Sequence, residues 1–309
     1  MRILITGGAG FIGSNLSRTA LDASHEVRVL DDLSTGFTEN LANLDIDFRE
    51  ASILDREALA DAMKGVDAVV HLAALGSVPR SIATPFDTHE VNARGTLNVL
   101  IAARDANVRH TSVASSSSVY GMNPAMPKSE REWVRAMSPY AVSKLATEQY
   151  ALACQQSYGM STMAFRFFNV YGPRQRAGHA YAAVIPIFFE ALMNGRPLPI
   201  NGDGENSRDF TYVETVCSVL LNAAENALPH PEPVNLAFGT NTTLHELADR
   251  IGEVSGTEPK IEYKDPRPGD VKHSQAMNSS LRKLFPELKP LGLNEGLYKT
   301  YEWFLGERE

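Results

Sequence analysis

Cysteine is almost missing from this chain: Cys154 and Cys217 are the only two in 309 residues. No Cys-x-x-Cys pair occurs, and the eight histidines are scattered rather than set at ligand spacing. A disulfide framework is therefore excluded, and no metal site is expected. Positive charge is also in short supply, with 29 Lys and Arg against 37 Asp and Glu and a net charge of −8. No run of five basic residues occurs, so no nucleic-acid partner is expected. No apolar run reaches the ~18 residues of a membrane span, so no membrane partner is expected either. Arg2 already opens the strand-like run "RILITG", which leaves no room for a signal peptide. The expected location is the cytoplasm, with both thiols reduced.

What is present is patterning. Hydrophobic residues make up 43% of the chain, enough at this length for two cores, since single cores rarely grow past about 250–300 residues. "RILIT" predicts a buried strand and residues 11–23 a helix. "EVRVLDD", "DAVVHLAA", "HTSVASSSS" and "STMAFRFFNV" predict further strands, separated by the helical "DREALADAMKG", "TLNVLIAARDAN" and "PYAVSKLATEQYALACQQSYG". Strict alternation implies an α/β fold, a doubly wound parallel sheet with right-handed crossovers. After about Asn169, Pro and Gly become frequent and strand signals shorten. The expected division is 1–168 for the sheet and 169–309 for a smaller α+β domain. Segments near 208–240, "PVNLAF" among them, are candidates to return to the first.

"TGGAGFIGS" places Gly7, Gly10 and Gly13 between the first strand and the first helix. Glycine permits the tight turn and lets backbone N–H groups approach a pyrophosphate at a helix N-terminus. A lone triplet is a weak signal. Here Asp31 closes the second strand 18 residues after Gly13. A carboxylate there accepts ribose hydroxyls and repels a 2′-phosphate, which favours NAD over NADP.

"ASSSSVYG" (114–121) ends a predicted parallel strand, at the edge where such sheets bind ligands. "SPYAVSK" (138–144) sets Tyr140 and Lys144 on one helix face. A free phenol titrates near 10, and lowering it to about 7 takes roughly 4 kcal/mol. A neighbouring ammonium and a nicotinamide cation both favour the phenolate. A serine hydroxyl beside it can relay a substrate proton. Alone, a Tyr-x-x-x-Lys pair is as well explained by a solvated helix face; joined to the glycine loop it points to hydride chemistry.

With "DDLSTG", "HLAALGSVPRS", "RFFNVYGPRQ", "NGDGENSRDFTYV" and "RPGDVKHS" added, the chain resembles an extended short-chain dehydrogenase/reductase. Specifically, it resembles the nucleotide-sugar epimerase/dehydratase family, nearest its UDP-glucose/UDP-N-acetylglucosamine 4-epimerase branch. The resemblance implies a Rossmann fold, NAD as cofactor, a UDP-sugar substrate and a homodimer built on the "SPYAVSK" helix and the helix after "VNARG". It implies Tyr140 as base, Lys144 as its activator and ribose ligand, and Ser116 as the proton-sharing hydroxyl.

Around NAD the resemblance places Gly7, Gly10, Phe11, Ile12 and Gly13, then Asp31, Asp32, Ser34, Thr35 and Gly36. Ser52 stands where the family usually has an adenine-binding Asp, so the backbone of Ile53 is expected to serve. Leu72, Ala73, Ala74, Asn92, Ala114 and Phe167 complete that set. For the substrate it implies Ser117 and Ser118 near the sugar, with Gly76, Ser77, Ala183 and Val184 at other pocket positions. Asn169, Arg208 and Arg267 are expected on the diphosphate, Asp270 on the uridine ribose, and the segment from Pro199 to Asn201 on uracil. Ser274 stands where the family lines the pocket near the sugar 2-substituent, and its small size implies room for an N-acetyl group. The dehydratase relatives carry a Thr-Asp-Glu triplet where this chain has Ser116, Ser117 and Ser118, so elimination is disfavoured. Two alternatives stay open: another UDP-sugar enzyme, acting on a uronate or as a net oxidoreductase, and an NAD-binding scaffold.

Overall fold

The computed structural model describes residues 1–178, 182–266 and 272–306. Its centre is a seven-stranded parallel sheet. The chain-order strands are β1 (Arg2–Thr6), β2 (Glu26–Asp31), β3 (Asp47–Glu50), β4 (Ala68–His71), β5 (His110–Ser116) and β6 (Thr162–Phe167). Across the sheet they run β6-β5-β4-β1-β2-β3, and Val234–Leu236 adds beyond β6. The apolar runs of β1, β2 and β4 are continuous because both sheet faces are covered. Ile3, Ile5, Val29 and Val70 face one buried cluster, whereas Leu4, Leu30 and Val69 face the other. This is the period-two alternation of a strand, with both sides apolar.

Two segments within 208–240 rejoin the first part of the chain. The strand Val234–Leu236 pairs in parallel with β6, and the helix Val213–Glu225 packs on the helix Phe11–Asp22. The sheet therefore draws on residues well past 168. Nor do the cores divide at that boundary: the cluster under Ile3 and Val29 continues through Val216 and Leu220 to Phe188 and Leu247.

The outer part is built of small sheets. Asn169–Tyr171 pairs with Phe210–Tyr212, and Leu198–Asn201 with Ile261–Lys264. Ser207–Arg208 lies between Thr242–Thr243 and His273–Ser274.

The long helix Pro139–Tyr158 has clear local causes. The Ser138 hydroxyl accepts from the Ala141 amide at 3.1 Å, Pro139 occupies the first turn, and Gly159 closes the end in the left-handed conformation at φ +67°. Strand order reverses between β1 and β4, and a crevice at the carboxyl ends of such a pair is where open α/β sheets bind ligands.

Candidate active site

The glycine loop opens the helix Phe11–Asp22 directly after β1. Gly7 has φ +73°, and a Cβ there would lie 2.6 Å from the Ala73 amide nitrogen in the segment following β4. A Cβ on Gly13 would overlap the Gly7 carbonyl. The two loops at the switch point thus approach as closely as backbone allows. Asp31 braces the glycine loop: its carboxylate accepts from the Ala9 amide at 2.9 Å and, on its own side, from the Leu33 amide at 2.9 Å. Burial pushes its pKa up and these two N–H groups pull it down. An ionised carboxylate has further lone pairs beyond these two bonds, available to a ribose.

At the other end, Lys144 is buried and donates to the Ala114 carbonyl at 2.9 Å, tying the helix Pro139–Tyr158 to β5. Burial brings its ammonium down to about 8. Burial pushes the Tyr140 phenol up, while the Ser116 hydroxyl beside it works in the opposite direction. In the protein alone burial works against both charged forms, and a neighbouring ammonium together with a bound cation would favour the phenolate. Ser118 gives Ser116 Oγ two bonds, from its amide at 3.2 Å and its hydroxyl at 3.0 Å. With both arriving as donors, the Ser116 proton is left for the phenol.

Beneath this pair lies a polar support that sequence reasoning missed. Ser115 Oγ donates to Glu148 Oε2 at 2.9 Å. Arg166 forks onto the same carboxylate at 3.0 and 2.7 Å, and its guanidinium lies 4.7 Å over the Tyr120 ring. Glu148 at i+4 from Lys144 was the available signal.

A cavity of about 870 Å³ joins the two ends, toward the upper limit of ligand sites. Its wall includes Gly7, Gly10, Phe11, Ile12, Gly13, Asp31, Asp32, Ser34, Thr35 and Ile53. Leu72, Ala73, Ala74, Ala114, Ser116, Tyr140, Lys144 and Phe167 continue it, and Gly76, Asn169, Ala183, Val184, Pro199, Asn201 and Arg208 form its outer part. Gly36, Ser52, Asn92, Ser77, Ser117, Ser118 and Ser274 are not on this wall.

Each of these has a local reason. Gly36 is packed against Ala9, where a Cβ would lie 2.8 Å from that side chain. Ser52 accepts from the Leu54 amide at 3.4 Å, and Ser77 caps the helix Val78–Ala83. Asn92 is buried, exchanging bonds with the Leu75 backbone and donating to Ser143 at 2.9 Å, so it holds the wall from behind. Ser117 and Ser118 enter a short 3-10 helix, Ser117–Tyr120, with Ser118 bonded back to Ser116. Ser274 stands in register with Arg208 on the neighbouring strand. Arg267 and Asp270 lie outside the described residues.

The wall also holds Arg80, Arg174, Gln175 and Arg176, none of them expected from the sequence. Arg174 reaches Asn15 Oδ1 at 3.0 Å, and Arg176 lies 3.9 Å over the Phe37 ring. Gln175 Oε1 and Arg176 Nε are buried with no hydrogen-bond partner among the described residues. These open positions, the glycine cradle and the Asp31 carboxylate fit a dinucleotide. Among the described residues the acids on the wall are Asp31 and Asp32, both at the glycine-loop end. Among the described residues no cluster of His, Cys, Asp and Glu suits a metal.

Comparison with known proteins agrees with this geometry. Residues 3–237 match the NAD dependent epimerase/dehydratase family. A UDP-glucose 4-epimerase of Mycolicibacterium smegmatis is 39% identical, over 98% of each chain. A UDP-N-acetylglucosamine 4-epimerase of Methanobrevibacter ruminantium, solved with UDP-N-acetylmuramic acid, superposes with a TM-score of 0.94 at 38% identity, over 99% of this chain and 98% of that one. A UDP-glucose 4-epimerase of Thermotoga maritima, solved with UDP-glucose, gives 0.93 at 34% identity over the whole of both chains.

Proposed function

We infer the function from one premise: the chain belongs to the NAD dependent epimerase/dehydratase family. NAD is its cofactor, and the reaction we propose is inversion of carbon 4 in a UDP-sugar through a transient 4-keto intermediate. UDP-glucose/UDP-galactose and their N-acetylated counterparts are the proposed substrates. What carries the assignment is the distribution of groups around one cavity. Tyr140, Lys144 and Ser116 meet the glycine loop there, and among the described residues no carboxylate stands near them on the wall to drive elimination.

Bound NAD supplies the acceptor for the hydride of carbon 4 and afterwards returns it. Tyr140 takes the proton of the 4-hydroxyl, with Ser116 sharing the hydrogen bond at the same oxygen. Lys144, anchored on the Ala114 carbonyl, holds its charge beside the ribose and the phenol. Asn169 and Arg208 hold the diphosphate, and Pro199 to Asn201 meet the uracil. The grip stays at the nucleotide while the keto sugar turns over, and Tyr140 gives its proton back to the opposite configuration. Gly76, Ala183 and Val184, all small, leave room on the wall for a 2-acetamido group.

The test is direct. The purified protein is incubated without added NAD, separately with UDP-glucose, UDP-N-acetylglucosamine and UDP-glucuronate, and products are identified by proton NMR. The expected products are the C4 epimers of the first two, with no NADH accumulating. Inversion of UDP-glucuronate alone would move the substrate to the uronates. Steady NADH production would sink the epimerase assignment.

A homodimer is part of the same proposal. Ile82 is 66% exposed, Phe86 84% and Val142 54%, on the helices Val78–Ala83, Pro85–His89 and Pro139–Tyr158, which pack on one another. Apolar side chains so grouped support a second copy covering this face. Among the described residues no helix is long and apolar enough to cross a membrane. Both thiols are free, as a reducing compartment leaves them, and we propose the cytoplasm.

A further inference from the structure

Asp209 is fully buried between two wall residues, Arg208 and Phe210. Each of its carboxylate oxygens accepts twice. Oδ1 takes the Thr240 amide at 3.1 Å and the Thr240 hydroxyl at 2.9 Å. Oδ2 takes the Gly239 amide at 2.9 Å and the Ala276 amide at 3.0 Å. Its own carbonyl accepts from the backbone and the side-chain amide of Asn169, at 3.2 and 3.3 Å. Thr240 closes the knot by accepting from the Phe210 amide at 3.1 Å. One residue thus gathers four segments of the chain at the point where the strand Ser207–Arg208 gives way to Phe210–Tyr212.

Both groups proposed to grip the diphosphate adjoin this point, with Arg208 Nη1 itself donating to the Ser207 and Lys272 carbonyls at 2.9 and 3.2 Å. Arg208 precedes it in the chain, and Asn169 spends one of its two side-chain N–H donors on it, leaving the other for a ligand. We propose that Asp209 is a positioning residue for diphosphate binding: its buried carboxylate sets the separation of Arg208 and Asn169 on the cavity wall. The inference rests on the UDP-sugar assignment above.

The physical demand is for four donors converging on one side chain. Asparagine can keep its oxygen on the Gly239 and Ala276 amides but then turns its NH₂ toward Thr240, whose amide is left buried without an acceptor and whose hydroxyl must reverse. Thr240 then separates from the strand, and Arg208 and Asn169 lose their common aim. Tyr140, Lys144 and the glycine loop lie on other elements and keep theirs.

The experiment compares wild type, Asp209→Asn and Thr240→Val as NAD-loaded proteins. It measures the dissociation constant of UDP by calorimetry, kcat and KM for UDP-glucose, and bound NAD. For Asp209→Asn the UDP dissociation constant and KM rise together by about tenfold or more, while kcat stays within about threefold and NAD content is unchanged. Thr240→Val removes the hydroxyl that donates to Asp209 and accepts from the Phe210 amide, and shifts both in the same direction by about threefold. It carries the test if Asp209→Asn fails to fold. A merely structural role would reduce the active fraction and leave KM and UDP affinity alone, which overturns the inference. Wild type that binds no UDP overturns the UDP-sugar assignment instead.

Discussion

Glu148 and Arg166 form a two-bond ion pair, Nε to Oε2 at 3.0 Å and Nη2 to Oε1 at 2.7 Å, with side-chain exposures of 0% and 4%. The pair links the helix Pro139–Tyr158 to β6, and through Ser115 it reaches the strand that carries Ser116. Removing one partner leaves a buried charge without compensation. Arg166→Met is therefore expected to lower the unfolding free energy by about 3–5 kcal/mol. Urea unfolding measures it, and a loss below about 1 kcal/mol would remove the pair from the support of the site.

Tyr140→Phe keeps the ring and deletes the only proton-accepting atom. Turnover is expected to fall by about 10²–10⁴-fold, the usual scale of general acid–base catalysis. Bound NAD, released by acid and quantified, should remain at the wild-type level. Undiminished turnover would refute the assignment of the base.

Gly13→Ala puts a Cβ into the Gly7 carbonyl, so the loop must open. NAD content should fall by about tenfold or more, with a smaller change in Tm. A variant that retains full cofactor would show that the loop tolerates expansion and is not the cradle.

His71 accounts for an acid dependence. It is buried between the Thr6 hydroxyl at 2.7 Å and the Thr96 hydroxyl at 2.9 Å. Burial, and then the charge of Lys144, bring its pKa down to about 3 from 6.5. Between these values the unfolded chain binds a proton that the folded chain does not. Stability from this residue is complete above about 6.5 and is lost as pH falls, by about 1.4 kcal/mol per pH unit. His71→Asn should flatten the measured stability between pH 6.5 and pH 4 by that slope. Parallel curves for variant and wild type would exclude His71 as the cause.

Much of the site was legible because its signals are local. Gly7, Gly10 and Gly13 announce a turn that only glycine fits, Ser138 and Pro139 announce a helix start, and Tyr140 and Lys144 share a face by spacing alone. The serine run divides: Ser116 ends the strand and lines the cavity, whereas Ser117 and Ser118 begin the 3-10 helix that follows. Arg80, Arg174 and Arg176 were missed because an arginine in a loop gives no sign of which neighbour it meets.

From sequence alone came the alternation of strand and helix, the phosphate loop, the Tyr–Lys pair and the family they resemble, since each depends on residues within a few turns of one another. Three matters were decided only in three dimensions. A buried phenol rises in pKa whatever its neighbours in the chain. The helix Val213–Glu225 and the strand Val234–Leu236 rejoin a sheet begun two hundred residues earlier. Asp209 meets donors from segments 30 and 67 positions away. Burial and long-range hydrogen bonding are properties of the packed chain, and no local pattern encodes which distant group will supply the partner.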